Sequence, residues 1–132
     1  MHIEATKQKI AKSGREVYEF LTDVKNFESL MPESIEKFEL LDDETFKFAL
    51  KGMPEIVLRL KDREPHKRVS LGAASDKLPF TLTADIEALS ENESEVALSF
   101  EGQFNAMMAM MVKSPITKFM ETLSTNLGKQ AQ

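Results

Sequence analysis

The chain has 132 residues, a formal charge of −5, 42% hydrophobic residues and no cysteine. That length suits one domain with a sizeable buried core, and the missing cysteines exclude disulfides, thiolate metal sites and a cysteine nucleophile. The lysines and arginines are dispersed, not gathered into the stripe that neutralises nucleic-acid phosphates, so nucleic acid is not expected as a partner.

Residues 1–9 alternate polar and apolar side chains and read as a strand; they lack the apolar run of a signal peptide. Ser13-Gly14-Arg15-Glu16 has the form of a capping box, in which the serine oxygen accepts an orphan backbone N–H and the glutamate reaches back. The spacing of Val17, Phe20, Leu21 and Val24, flanked by Tyr18, predicts an amphipathic helix after it. A second short helix is expected from Asp23 to Leu30. It should stop before Met31-Pro32, because the residue preceding proline is pushed out of the helical region.

From Ser34 the apolar period drops to two, the mark of strands with one buried face. The rows are Phe38 and Leu40; Phe46, Phe48 and Leu50; Ile56, Leu58 and Leu60; Val69, Leu71 and Ala73; Phe80, Leu82, Ala84 and Ile86; and Val96, Leu98, Phe100, Gly102 and Phe104. Short turn-forming segments separate them: Asp42-Asp43-Glu44, Gly52-Met53-Pro54, Glu64-Pro65-His66-Lys67, Ser75-Asp76-Lys77 and Ser90-Glu91-Asn92-Glu93. Strands joined so tightly must be antiparallel. Their common apolar face needs a cover, and a helix from about Asn105 to Lys129 supplies one. Met108, Val112, Ile116, Phe119, Leu123 and Leu127 recur there at spacings of three and four. Met107, Met110 and Met111 fall off that stripe, and Pro115 lies inside it, where it removes one backbone bond. No apolar run approaches the ~20 residues that span a bilayer, and no repeat or linker divides the chain.

This order of elements resembles the START/Bet v 1-like superfamily, also called the helix-grip fold or SRPBCC. Ile10-Ala11-Lys12-Ser13 with Val17-Tyr18-Glu19-Phe20-Leu21-Thr22-Asp23 is similar to its strand-into-helix entry, Leu30-Met31-Pro32 to the segment before its second strand, and Phe38 to Phe46 to its first hairpin. The resemblance implies an α+β helix-grip domain over residues 1–132. It would hold a seven-stranded curved antiparallel sheet, two short helices after strand 1 and one long C-terminal helix packed over the sheet. Nearest in character are the polyketide cyclase/lipid-transport group, quinone-binding relatives and the type associated with carbon monoxide dehydrogenase. Such proteins hold apolar small molecules between sheet and helix.

A cavity of that kind is expected to be lined by Phe27, Leu30, Met31, Phe104, Met107, Met108, Met111, Phe119 and Met120. The methionines are flexible and polarizable and so suit a ligand of variable shape. As the methionines surround the helix, some of them must instead meet the short helices, solvent or a second copy of the chain, so a homodimer is a further expectation.

Candidates for catalysis and metal binding are sparse. His2 and His66 are the two histidines, too few for a histidine-based triad or zinc site. Asp85 and Glu87 share a strand face with Thr81 and Thr83, which reads as a solvated face. Arg59 and Asp76 read as surface charge, with the cavity rim as the alternative, and Tyr18 has no base beside it. No cofactor is expected. The reading is therefore a cytoplasmic binder or carrier of a lipid-, quinone- or polyketide-like compound, with a cyclase- or dehydrase-type cavity enzyme and a protein-interaction module as alternatives.

Overall fold

The protein's structure, a computed structural model, describes residues 1–33, 35–50, 55–73 and 80–130. The expected turns at Gly52-Met53-Pro54 and Ser75-Asp76-Lys77 lie outside these residues. Two three-residue strands, β1 (His2–Glu4) and β2 (Gln8–Ile10), lead into α1 (Gly14–Thr22), a 3-10 turn at Val24–Asn26 and α2 (Phe27–Leu30). The strands β3 (Ile35–Asp42), β4 (Thr45–Leu50), β5 (Ile56–Glu64), β6 (Arg68–Ala73), β7 (Phe80–Ser90) and β8 (Glu93–Gly102) follow, and α3 (Ala106–Gln130) comes last.

The strand order is β1-β8-β7-β6-β5-β4-β3, every pair antiparallel, and β2 also pairs with β8. The expected N-terminal strand is thus split in two, so among the described residues the sheet has eight strands in seven positions. Both pieces lie along β8, as one interrupted strand would. The α+β helix-grip architecture is otherwise as expected.

Register explains how the alternating sequence becomes one apolar face. Leu60 faces Leu71, Leu71 faces Leu82, Leu82 faces Phe100 and Phe100 faces Ile3, a row of buried side chains crossing five strands. Side chains alternate across a strand, so a one-residue slip anywhere along this row would turn a whole apolar set to water. Aromatic rings add a second layer. Phe27, Phe38 and Phe48 each stack on Phe46, with centroids 5.3, 5.3 and 5.9 Å away, and Phe119 of α3 stacks on Phe48 at 5.2 Å. Near the other end Phe80, Phe100 and Phe104 stack around Gly102, where a Cβ would lie 2.9 Å from the Phe104 ring.

One expected row is only half buried. Phe38 is partly covered and Leu40 is exposed, as is Leu41 beside it. β3 is the last strand of the sheet, and an opening separates its end from Thr22 and Asp23 at the end of α1. Its pairing with β4 shifts register between Ile35 and Lys37 and between Leu40 and Asp42, irregularities of the kind that discourage edge-to-edge association.

Local signals act where the sequence placed them. The Ser13 hydroxyl accepts from the Glu16 N–H at 3.1 Å while Glu16 accepts from the Ser13 N–H, completing the capping box. Asp23 caps the 3-10 turn by accepting from the Lys25 N–H at 3.2 Å. In the β5–β6 turn the Lys67 N–H donates to the Glu64 carbonyl at 2.9 Å, with Pro65 and His66 in the middle. His66 has φ of 66°, the one non-glycine residue with positive φ among the described residues, and its ring meets the Tyr18 ring edge-on with centroids 5.6 Å apart. A side chain in this left-handed region costs roughly 1–2 kcal/mol that glycine avoids. His66→Gly and His66→Ala both lose the ring contact and differ only in backbone freedom. Urea unfolding should therefore find the glycine variant more stable than the alanine variant by about 1 kcal/mol.

Candidate functional site

The long helix is held unequally along its length. Its C-terminal half is tethered by side chains: Glu121 accepts from the Thr6 N–H at 2.9 Å and from the Thr6 hydroxyl at 3.1 Å, and the Ser124 hydroxyl donates to the Thr6 carbonyl. Asn126 donates to the Leu30 carbonyl at 2.9 Å and the Met31 carbonyl at 3.4 Å, clamping the end of α2. Over residues 106–120 the bonds are local. Asn105 caps the helix by accepting from the Met108 N–H at 2.8 Å, and the Thr117 hydroxyl bonds the Lys113 carbonyl at 2.6 Å. Among the described residues, no side-chain hydrogen bond joins this stretch to another element, and Pro115 lies within it.

Beneath the tethered half lies an apolar cavity of about 20 Å³. Leu21 of α1, Phe27 and Leu30 of α2, and Leu123 and Leu127 of α3 roof it; Val69, Leu71, Leu82, Ala84 and Leu98 form its floor on the sheet. No ionisable side chain among the described residues lines it. A void of this size is about what one water occupies, whereas small-molecule sites run to roughly 300–1,000 Å³. The Phe27–Phe46–Phe48–Phe119 stack fills much of the neighbouring interior. At the junction of the two helix halves a groove of about 420 Å³ opens, lined by Pro32, Leu50, Ser114, Pro115, Lys118, Phe119 and Thr122.

Of the nine residues expected to line a cavity, Phe27 and Leu30 do so. Phe119 lines the groove, Met31 and Met120 are buried in the core, and Phe104 and Met108 are partly buried against it. Met107 and Met111 are exposed and point away from both spaces, because they lie opposite the stripe that binds the sheet. α2 closes against the tethered half of α3, not against its first turns. Eight cavity-lining residues beyond the expected nine sit in the alternating rows or the helical stripe. Their inward orientation was legible in the sequence, but their convergence on one void depends on where the last turns of α3 cross β6–β8.

The polar candidates stay outside. Arg59 bonds the Thr45 hydroxyl at 3.2 Å, and Asp85 accepts from Arg68 at 2.6 Å on the outer sheet face, its hydrogen bond and charge raising the arginine's pKa above its ordinary value. The hydrogen bond and charge of Lys37 lower the Glu55 pKa, and Glu55 reciprocally raises that of Lys37, within a surface cluster that includes Glu39 and Lys47. These shifts come from exposed ion pairs and not from desolvation in a cleft. They are therefore not the signature of an acid/base site. Among the described residues no group of three or more His, Asp or Glu side chains is placed to hold a metal, and no helix is long and apolar enough to cross a membrane. Asp76 lies outside the described residues.

No protein-family model and no curated protein matches this sequence. Solved structures match over nearly the whole chain. Norcoclaurine synthase from Thalictrum flavum, in a point mutant bound to a transition-state analogue, superposes with a TM-score of 0.76 at 13% identity, covering 99% of this chain and 93% of that one. The Zhui aromatase/cyclase from Streptomyces sp. R1128 gives 0.76 at 14% identity with the same coverage. XoxI from Bacillus cereus gives 0.73 at 14%, covering 97% of this chain and 93% of that one. The fold is the START/Bet v 1-like helix-grip fold, and at these identities the likeness extends to the fold alone.

The cavity is small because Leu123 and its neighbours fill the space. Leu123→Ala should lower stability by about 3–5 kcal/mol, the upper range for a side chain so fully buried. It should also leave an apolar void that takes up a benzene-sized molecule, seen as a rise in Tm of the variant, but not of the parent, on adding benzene.

Proposed function

We propose that this chain is a non-catalytic binder of an apolar small molecule of lipid, quinone or polyketide-like character, working as one domain in a reducing cytoplasm. The molecule would lodge between the sheet and the N-terminal half of α3. The observation that carries this reading is the unequal hold on α3: one half is hydrogen-bonded in place, and the other rests on apolar contacts above a groove at Pro115.

The energetics allow such an opening. Lifting the first turns exposes chiefly Val112 and the covered part of Met108, at roughly 3–5 kcal/mol. A ligand burying about 300 Å² of apolar surface returns about 7 kcal/mol at 25 cal/mol per Å². The inner sheet face that the ligand would meet is apolar, which favours shape and hydrophobicity over polar recognition, so chain-length variants of one ligand should differ by about 0.8 kcal/mol per methylene. A cyclase- or dehydrase-type reaction would need an inward ionisable group; among the described residues none lines the cavity, and Lys118 at the groove is exposed.

A second reading, a module that binds protein through the exposed side of α3, is favoured by the 20 Å³ cavity and the outward methionines. Native mass spectrometry of the purified protein separates the two. A stoichiometric apolar adduct, released and identified after denaturation, is the expected result. A bare mass together with no binding of lipophilic dyes would defeat the carrier reading and favour the module.

A further inference from the structure

We propose that the first turns of α3 form a docking face for an anionic lipid surface. Met107, Met110 and Met111 are 75%, 83% and 69% exposed, the most exposed of the large hydrophobic side chains among the described residues. Helical spacing puts Ser114 and Lys118 on the same side as these methionines, and Lys113 on the flank. All three methionines project from the helix face opposite the buried Val112, Ile116 and Phe119.

Charge selects the occupant. The chain has 22 acidic residues, yet none lies between Gly102 and Met120, a stretch that carries Lys113 and Lys118. Both lysines are exposed, and neither is in an ion pair among the described residues. An apolar tip with unpaired cations next to it matches a layer of anionic headgroups over hydrocarbon, where methionines enter the acyl boundary and lysines stay at the phosphates. A second copy of the same face would instead bring Lys113 and Lys118 towards like charges, and Glu121, the nearest acid along the helix, is already bonded to Thr6. The net charge of −5 does not forbid the approach, because at about 0.1 M salt charges more than ~10 Å from the contact are screened. Docking in this pose requires no ligand, so it stands apart from the carrier reading. It would nevertheless set the groove at Ser114, Pro115 and Lys118 close to the lipid.

Sedimentation with vesicles tests the proposal on the whole chain. The protein should pellet with vesicles of equal parts phosphatidylcholine and phosphatidylserine and remain in solution with phosphatidylcholine alone. Binding should weaken as salt shortens the Debye length toward about 3 Å. The exposed substitutions Lys113→Glu and Lys118→Glu should each reduce partitioning roughly fivefold or more. The triple substitution Met107→Gln, Met110→Gln and Met111→Gln should abolish it, with circular dichroism confirming the fold of each variant. Equal binding to both vesicle types, anionic binding that survives the triple substitution, or no vesicle binding at all overturns the proposal. A dimer in sedimentation equilibrium that the triple substitution dissociates, with no lipid binding, assigns the face to a second copy instead.

Discussion

One contact supports the rest of the structure: the apolar stripe of α3 laid across the inner face of the sheet. The strands present their alternating side chains to one side, and without a cover that side would be water-exposed. Val112, Ile116, Phe119, Leu123 and Leu127 are buried in the contact. At about 1.5–3 kcal/mol for each such side chain their burial contributes on the order of 10 kcal/mol before entropy is counted. This is comparable to the whole net stability of a typical domain. α3 therefore cannot leave as a unit without unfolding the protein, and any function that needs access to the interior must work by moving part of it.

The distribution of polar contacts says which part. Thr6, in the link between β1 and β2, and the carbonyls at the end of α2 all bind the helix after Pro115. The Thr6, Leu30 and Met31 carbonyls are paired in partly buried positions and the Thr6 N–H in an exposed one, so the ends of the early elements and the last turns of α3 hold one another in place. Before Pro115 the helix has only apolar contacts to the rest of the protein among the described residues. Proline cannot donate to the Met111 carbonyl, which weakens the helix where the two regimes meet. The same stretch carries the outward methionines and Lys113, which makes no ion pair among the described residues. Its buried side and its exposed side thus both have the character of surfaces meant to meet something apolar.

Much of this was legible in the sequence. The period of two from Phe46 to Gly102 predicted which residues face inward, and the structure buries Phe46, Phe48, Ile56, Leu58, Val69, Leu71, Leu82, Ala84, Val96, Leu98 and Phe100. The Ser13–Glu16 box and the stripe from Val112 to Leu127 also stand where local chemistry put them. Leu40 shows the limit. Its place in an alternating row is the same as that of Phe46, but it sits on the last strand, beyond the cover of the helices, and alternation does not reveal which strand lies at the edge.

Periodicity, caps and turns are local properties, and here all of them point to the same arrangement, so the order of residues alone was enough to specify the fold. The candidate site was not specified in that way. Whether Phe27 and Leu30 meet Leu123 and Leu127, or Met107 and Met111, depends on the angle and height at which α3 crosses the sheet. That geometry follows from bonds between residues more than ninety positions apart, such as Asn126 to Leu30 and Glu121 to Thr6. Cavity volume is more remote still. It is a small difference between large packed volumes, and the meeting of Leu123 with the other lining side chains sets it in a way that no spacing rule along the chain encodes.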